Sequence, residues 1–174
     1  MLTENELTEV LETILIEQVQ FFTFPELQIT SKNLDLKKLV EKDQVRIDLA
    51  AINRFDGSIY FFEAETTLYS FHPISYRQFC DYCYLICPAD SFDLFDSESK
   101  QQQIKWAEEM GLGIITITLD RNVNIRLRAK RQKLTSMIRK EVLRMMNQRT
   151  QINFSTIPLW DRVFSSKTQQ KEQN

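Results

Sequence analysis

The chain has 174 residues, 43% of them hydrophobic and 26% charged, the balance of one folded domain large enough to bury a core. No apolar run approaches the ~18–20 residues of a membrane helix, and three Gly and four Pro exclude collagen-like or linker-like repetition. The net charge of −2 conceals a division: residues 1–120 carry 9 basic and 21 acidic side chains, whereas residues 121–149 carry 10 and one.

In chain order, Leu7, Val10, Leu11, Ile14 and Leu15 recur at helical spacing over residues 4–19, and Thr3 with Glu6 fits a capping box. Phe21 to Thr30 reads as a strand that Pro25 confines to an edge. Residues 31–44 read as a loop with a short helix. Val45–Asn53 and Ser58–Thr66 are the clearest strands, with Asp56-Gly57 between them as a tight hairpin turn. A helix is expected from Ile74 to Asp81, a buried strand from Tyr82 to Cys87, an acidic loop from Ala89 to Glu98, and a helix from Ser99 to Met110. Strands follow at Ile114–Leu119 and Val123–Leu127. A basic amphipathic helix is expected over about 129–147, with Leu134, Met137, Ile138, Val142 and Met145 as its apolar stripe. Residues 165–174 read as a polar tail. This order predicts a three-layer α/β core: a mixed sheet with one antiparallel hairpin, flanked by helices.

The hairpin brings carboxylates together. With Asp56-Gly57 as a two-residue turn, Asp48 lies opposite Glu65 and Ala50 opposite Glu63. Alternation puts Glu63 and Glu65 on one face, and pairing adds Asp48. Three acids then meet within roughly 5–8 Å, while Ile47, Leu49, Tyr60, Phe62 and Ala64 form the opposite, core face. Opposed like charges destabilise a sheet, so such a cluster implies raised pKa values, an intervening base or a bound cation. An all-oxygen set suits Mg²⁺, with Mn²⁺ as a substitute. The competing reading is a solvated acidic face, or neutralisation by Arg46.

Arg46-Ile-Asp48, the hairpin and Phe62-Glu63-Ala64-Glu65 resemble the signature of the PD-(D/E)XK nuclease superfamily. Gln78-Phe-Cys-Asp-Tyr82 matches the Q-x-x-x-Y helix of its RecB-like branch. The order of segments over about 40–120 is also similar to that of small MmcB-like DNA-repair proteins. The resemblance implies a restriction-endonuclease-like fold over residues 1–164 and Mg²⁺-dependent hydrolysis of phosphodiester bonds in DNA, with RNA as a further possibility. It assigns Asp48, Glu63 and the Ala64 carbonyl to the metal, and Glu65 to the attacking water. Gln78 and Tyr82 join the site, as does a first-helix acid, Glu9 or Glu12. Glu65 stands where most of the superfamily has Lys, the E-x-E variant known among its restriction enzymes. That departure keeps a second reading alive, a nucleic-acid-binding relative without cleavage. A third is a structural or protein-binding α/β module.

Phosphate contacts are expected from Arg77, Arg126, Arg128, Lys130, Arg131, Lys133 and Lys140. His72, the lone histidine, reads as packing beside Pro73. Cys80, Cys83 and Cys87 read as reduced buried thiols and not as a metal site. With the odd cysteine count and the lack of signal-peptide character in the first residues, they point to the cytoplasm. The partner is expected to be DNA and not a membrane, and a homodimer is compatible with this reading.

Overall fold

The structure, a computed structural model, describes residues 1–30, 44–66, 75–94 and 96–149. The segment around His72 and the polar tail lie outside the described residues, as does most of the predicted loop at 31–44.

Helix α1 (Glu4–Glu17) starts at the predicted capping box: the Glu6 amide donates to the Thr3 hydroxyl, and Glu6 Oε2 accepts from the Thr3 amide at 2.8 Å. Strands β1 (Phe21–Ile29), β2 (Val45–Asn53) and β3 (Ile59–Ala64) form an antiparallel meander. A single 3₁₀ turn at Arg77–Phe79 leads into β4 (Tyr82–Pro88). Next come α2 (Ala89–Leu94), α3 (Ser97–Met110), β5 (Gly113–Ile117), β6 (Val123–Leu127) and α4 (Ser136–Arg149). The six strands lie side by side in chain order. Pairs β3–β4 and β4–β5 are parallel, and β5–β6 returns antiparallel.

Two cores fill the two faces. On one, Leu7, Val10, Leu11 and Leu15 of α1 cover Leu49, Phe62, Tyr84, Ile86 and Ile115. On the other, Ala107 of α3 and Val142, Leu143, Met145 and Met146 of α4 pack over Phe24, Ile52, Phe61, Leu85 and Ile114. The chain is therefore the expected three-layer α/β sandwich with a mixed sheet. Among the described residues no helix is long and apolar enough to cross a membrane.

Four local expectations are corrected. The predicted helix over 129–147 begins only at Ser136, so Lys130, Arg131 and Lys133 lie on non-helical chain, and Met137 of its expected stripe is 59% exposed. Residues 89–94 are helical, not loop. The expected helix at 74–81 gives way to the 3₁₀ turn before Cys80.

The hairpin turn is also longer than two residues. The Asn53 amide donates to the Ser58 carbonyl and the Gly57 amide to the Asn53 carbonyl, enclosing Arg54–Gly57. Asn53 Oδ1 and Asp56 Oδ1 accept from the Phe55 and Ser58 amides, side-chain-to-backbone bonds that hold the larger loop. Gly57 supplies the left-handed φ of 67°. The strands consequently pair Leu49 with Phe62, and one step further Asp48 stands beside Glu63 instead of Glu65. A slip of two residues preserves the side-chain faces.

Candidate metal centre

The site lies at the C-terminal end of β3, where β1 and β2 change character. Pro25 has no amide to donate, and Glu26 adopts a left-handed φ of 50°. Pairing is regular on both sides of Glu26 and Asp48 but skips that position. Ile47 packs in the α4-side core and Leu49 in the α1-side core, so strict alternation fails at Asp48. This corrects the expectation that Ile47 and Leu49 share one face. Asp48 Oδ2 accepts from the Ala64 amide at 3.0 Å, just beyond the last β2–β3 pair. Its other oxygen lies 3.9 Å from Arg46 Nη2, and Arg46 Nη1 lies 3.9 Å from Glu26.

Glu63 is 5% exposed, and its Oε1 is buried without a hydrogen-bond partner. Burial, then the Asp48 carboxylate beside it, push its pKa up to about 10. Asp48 is close enough to hydrogen-bond it, and Cys83 and Glu65 add to the effect. Glu65 is half-buried, and its amide extends the sheet by donating to the Ile86 carbonyl at 2.8 Å. The acids are thus near neighbours, with Asp48 and Glu63 the tight pair. Among the described residues no group of three or more His, Cys, Asp or Glu side chains is placed to hold a metal ion. Two hard carboxylates still fit Mg²⁺, which commonly takes one or two protein carboxylates and keeps water or phosphate in its remaining positions. The orphaned, buried Glu63 oxygen is the atom such an ion would complete.

Asp48 also borders a cavity of about 580 Å³ between α1 and β1–β2, whose walls include Glu4, Glu9, Glu12, Glu26 and Arg46. Glu12 is already engaged, accepting from the Thr23 hydroxyl at 2.8 Å. Glu9, like Glu4, lines the cavity that Asp48 borders.

Other expected site residues lie elsewhere. Tyr82 opens β4 and stacks on Tyr60 on the α1 side, with ring centroids 4.7 Å apart. Glu63 pairs with Leu85, three residues further along β4. Gln78 donates to the Ser75 carbonyl at 2.9 Å. Arg77 braces the chain, donating to Gln132 at 2.8 Å and packing where a side chain on Gly111 would sit, so it is no phosphate clamp at the carboxylates. The tyrosine near the acids is Tyr76, buried and pushed up to about 12 by burial and then by Glu63 and Asp48. The Q-x-x-x-Y spacing pointed past it. The i, i+3, i+4 set of Tyr76, Phe79 and Cys80, all buried, was the signal for that inward face.

The expected cations divide. Arg126 donates to Thr116 at 3.0 Å and shares the carboxylates' end of the sheet, three strands from Glu63, or about 14 Å. Lys130 is tied to the α3 C-terminus through the Glu108 carbonyl, and Arg131 approaches Asp81 at 4.0 Å. Arg128, Lys133 and Lys140 are exposed and form no ion pair with a described residue. Cys80, Cys83 and Cys87 are buried and form no disulfide.

No protein-family model matches the sequence, and no curated protein matches it. A solved structure does: the SPO1766 protein of unknown function from Silicibacter pomeroyi aligns with a TM-score of 0.56 at 16% identity, over 85% of this chain and 86% of that one. The likeness establishes a shared fold.

Proposed function

We propose that the chain is a divalent-cation-dependent nuclease acting on DNA, in keeping with its resemblance to the PD-(D/E)XK superfamily. The observation that carries this reading is the buried, unpartnered Glu63 oxygen beside Asp48. Two carboxylates in a low-dielectric site do not both ionise without a counter-charge, and a hard cation supplies one. Bound there, Mg²⁺ or Mn²⁺ would stabilise charge on the phosphodiester and lower the pKa of an attacking water.

In this reading Asp48 and Glu63 hold the ion, with the Ala64 carbonyl as a further ligand. The Ala64 amide fixes the Asp48 carboxylate, and half-exposed Glu65 orients the water. Glu9 lines the α1 cavity that Asp48 borders and is the first-helix acid of this reading. Arg126 contacts a phosphate at the same end of the sheet. A binding-only relative is the second reading, favoured by Glu65 at the usual Lys position. The three buried thiols, none of them in a disulfide, support a reducing, cytoplasmic setting.

The test is cleavage of single- and double-stranded DNA with Mg²⁺ or Mn²⁺, comparing wild type with Asp48→Ala and Glu63→Ala. Loss of at least 100-fold in both variants is expected, since each supplies a charge to one metal centre. Equal residual cutting by all three proteins, or none by wild type, defeats the enzyme reading.

A further inference from the structure

At the hairpin end of the sheet, away from the carboxylate pair, a second cavity of about 400 Å³ is lined by Asp81, Arg131, Gln132, Lys133, Leu134 and Arg139. Asp81 is 1% exposed and fully engaged: Oδ2 accepts from the Ile59 amide at 2.8 Å, and Oδ1 pairs with Arg139. The lining thus sets one buried carboxylate against three cations, of which Arg139 and Arg131 approach it. Arg131, with a side chain 61% exposed, stands 4.0 Å from Asp81, and Lys133 is exposed with no ion pair to a described residue. The rim keeps net positive charge.

Arg139 also donates to the Gly57 carbonyl at 3.2 Å, which joins the β2–β3 loop to this cavity. Two residues before Gly57, Phe55 is 74% exposed, more than any other large hydrophobic side chain among the described residues. The loop is held by its own bonds, the Phe55 amide on Asn53 Oδ1 and the Ser58 amide on Asp56 Oδ1. The ring is therefore presented on a fixed support, at some cost in exposed apolar area. A fixed aromatic face near exposed cations is the combination that binds unpaired nucleotides, the base stacking on the ring and the backbone running along the charges.

We propose that this end of the molecule binds single-stranded nucleic acid, one base stacking on Phe55 and the adjoining phosphates contacting Arg131 and Lys133. The inference rests on the nucleic-acid half of the function proposed above, and not on cleavage. Duplex is disfavoured because its base faces are covered by their neighbours, leaving nothing to lie flat on Phe55.

The experiment is fluorescence anisotropy of the full chain in EDTA, with a labelled mixed-sequence oligodeoxynucleotide, its RNA counterpart and the corresponding DNA duplex. Both single strands are expected to bind more tightly than the duplex, because stacking makes no use of the 2′-hydroxyl. Phe55→Ala weakens single-strand binding about 10-fold, and Phe55→Trp restores it. Lys133→Ala lowers the slope of log affinity against log salt by about 0.7. A duplex preference, an unchanged affinity in Phe55→Ala, or no binding by wild type overturns the proposal. Binding in EDTA without cleavage in Mg²⁺ would sink the nuclease reading and leave this one standing. Cleavage with Phe55→Ala binding like wild type does the reverse.

Discussion

Glu63 gives a pH dependence whose direction follows from its burial. In the unfolded chain its carboxyl ionises near 4.5, whereas in the folded protein it holds its proton up to about 10. Between those values the folded state binds a proton that the unfolded state has released, so stability decreases as pH rises through that window. At pH 7 the cost is about 3 kcal/mol. Glu63→Gln keeps the volume and removes the ionisation. It is expected to raise the melting temperature, by more at pH 8 than at pH 5; a pH-independent difference between the two melting curves would count against the buried-acid account. Under the proposed function, Mg²⁺ displaces this proton, and its affinity should climb by up to about tenfold per pH unit below 10. Calorimetry in buffers of different ionisation enthalpy reads the proton released.

Most elements were legible because their signals are local. The Thr3–Glu6 box, the edge-marking Pro25 and the apolar, β-branched run of β2 each act within a few residues, and these elements appear where expected. The hairpin length was misjudged because Asp-Gly alone suggests a two-residue turn, while the Asn53 and Asp56 side chains support a four-residue one. The late start of α4 has a tertiary cause: Gln132 donates its amide to the Asp81 carbonyl and Lys130 to the Gly111 carbonyl, spending on distant strands the amides a helix would use. Of the candidate site, Asp48 and Glu63 could be read from pairing parity. The spacing of Tyr76, Phe79 and Cys80 carried the inward face of Tyr76 but not its nearness to the acids, which depends on tertiary packing. Gly111 provides a test at this scale. It caps α3 with φ 71°, and a Cβ there would stand 2.3 Å from Arg77 Nη2. Gly111→Ala is expected to cost about 1–2 kcal/mol in denaturant unfolding, from backbone strain and a displaced Arg77 brace. Unchanged stability would mean that the brace carries nothing.

Across the whole molecule, the basic block between residues 121 and 149 separates into two populations. Arg139 neutralises a buried carboxylate, so Arg139→Ala leaves Asp81 with only the more distant Arg131, at 4.0 Å, and should cost about 3 kcal/mol. Lys133 and Lys140 lack described ion-pair partners, and their removal should shift the melting temperature little while weakening DNA binding in a salt-dependent way. Thermal melts alongside binding titrations separate the two groups; equal destabilisation by all three substitutions would contradict the division. The sheet thus carries carboxylates at one end of β3 and, four residues or about 13 Å away, its cation-lined cavity.

The four-residue connection between β2 and β3 also restricts how this protein can vary. Where the turn keeps its four-residue form, inserting or deleting a single residue between Arg54 and Gly57 shifts the β2–β3 register by one and throws the facing rows out of step. A strand must then buckle to recover. Changes by two residues re-seat Asp48 against a different partner on the same side. Relatives with a working carboxylate pair should therefore differ here in even steps, or carry a compensating bulge nearby.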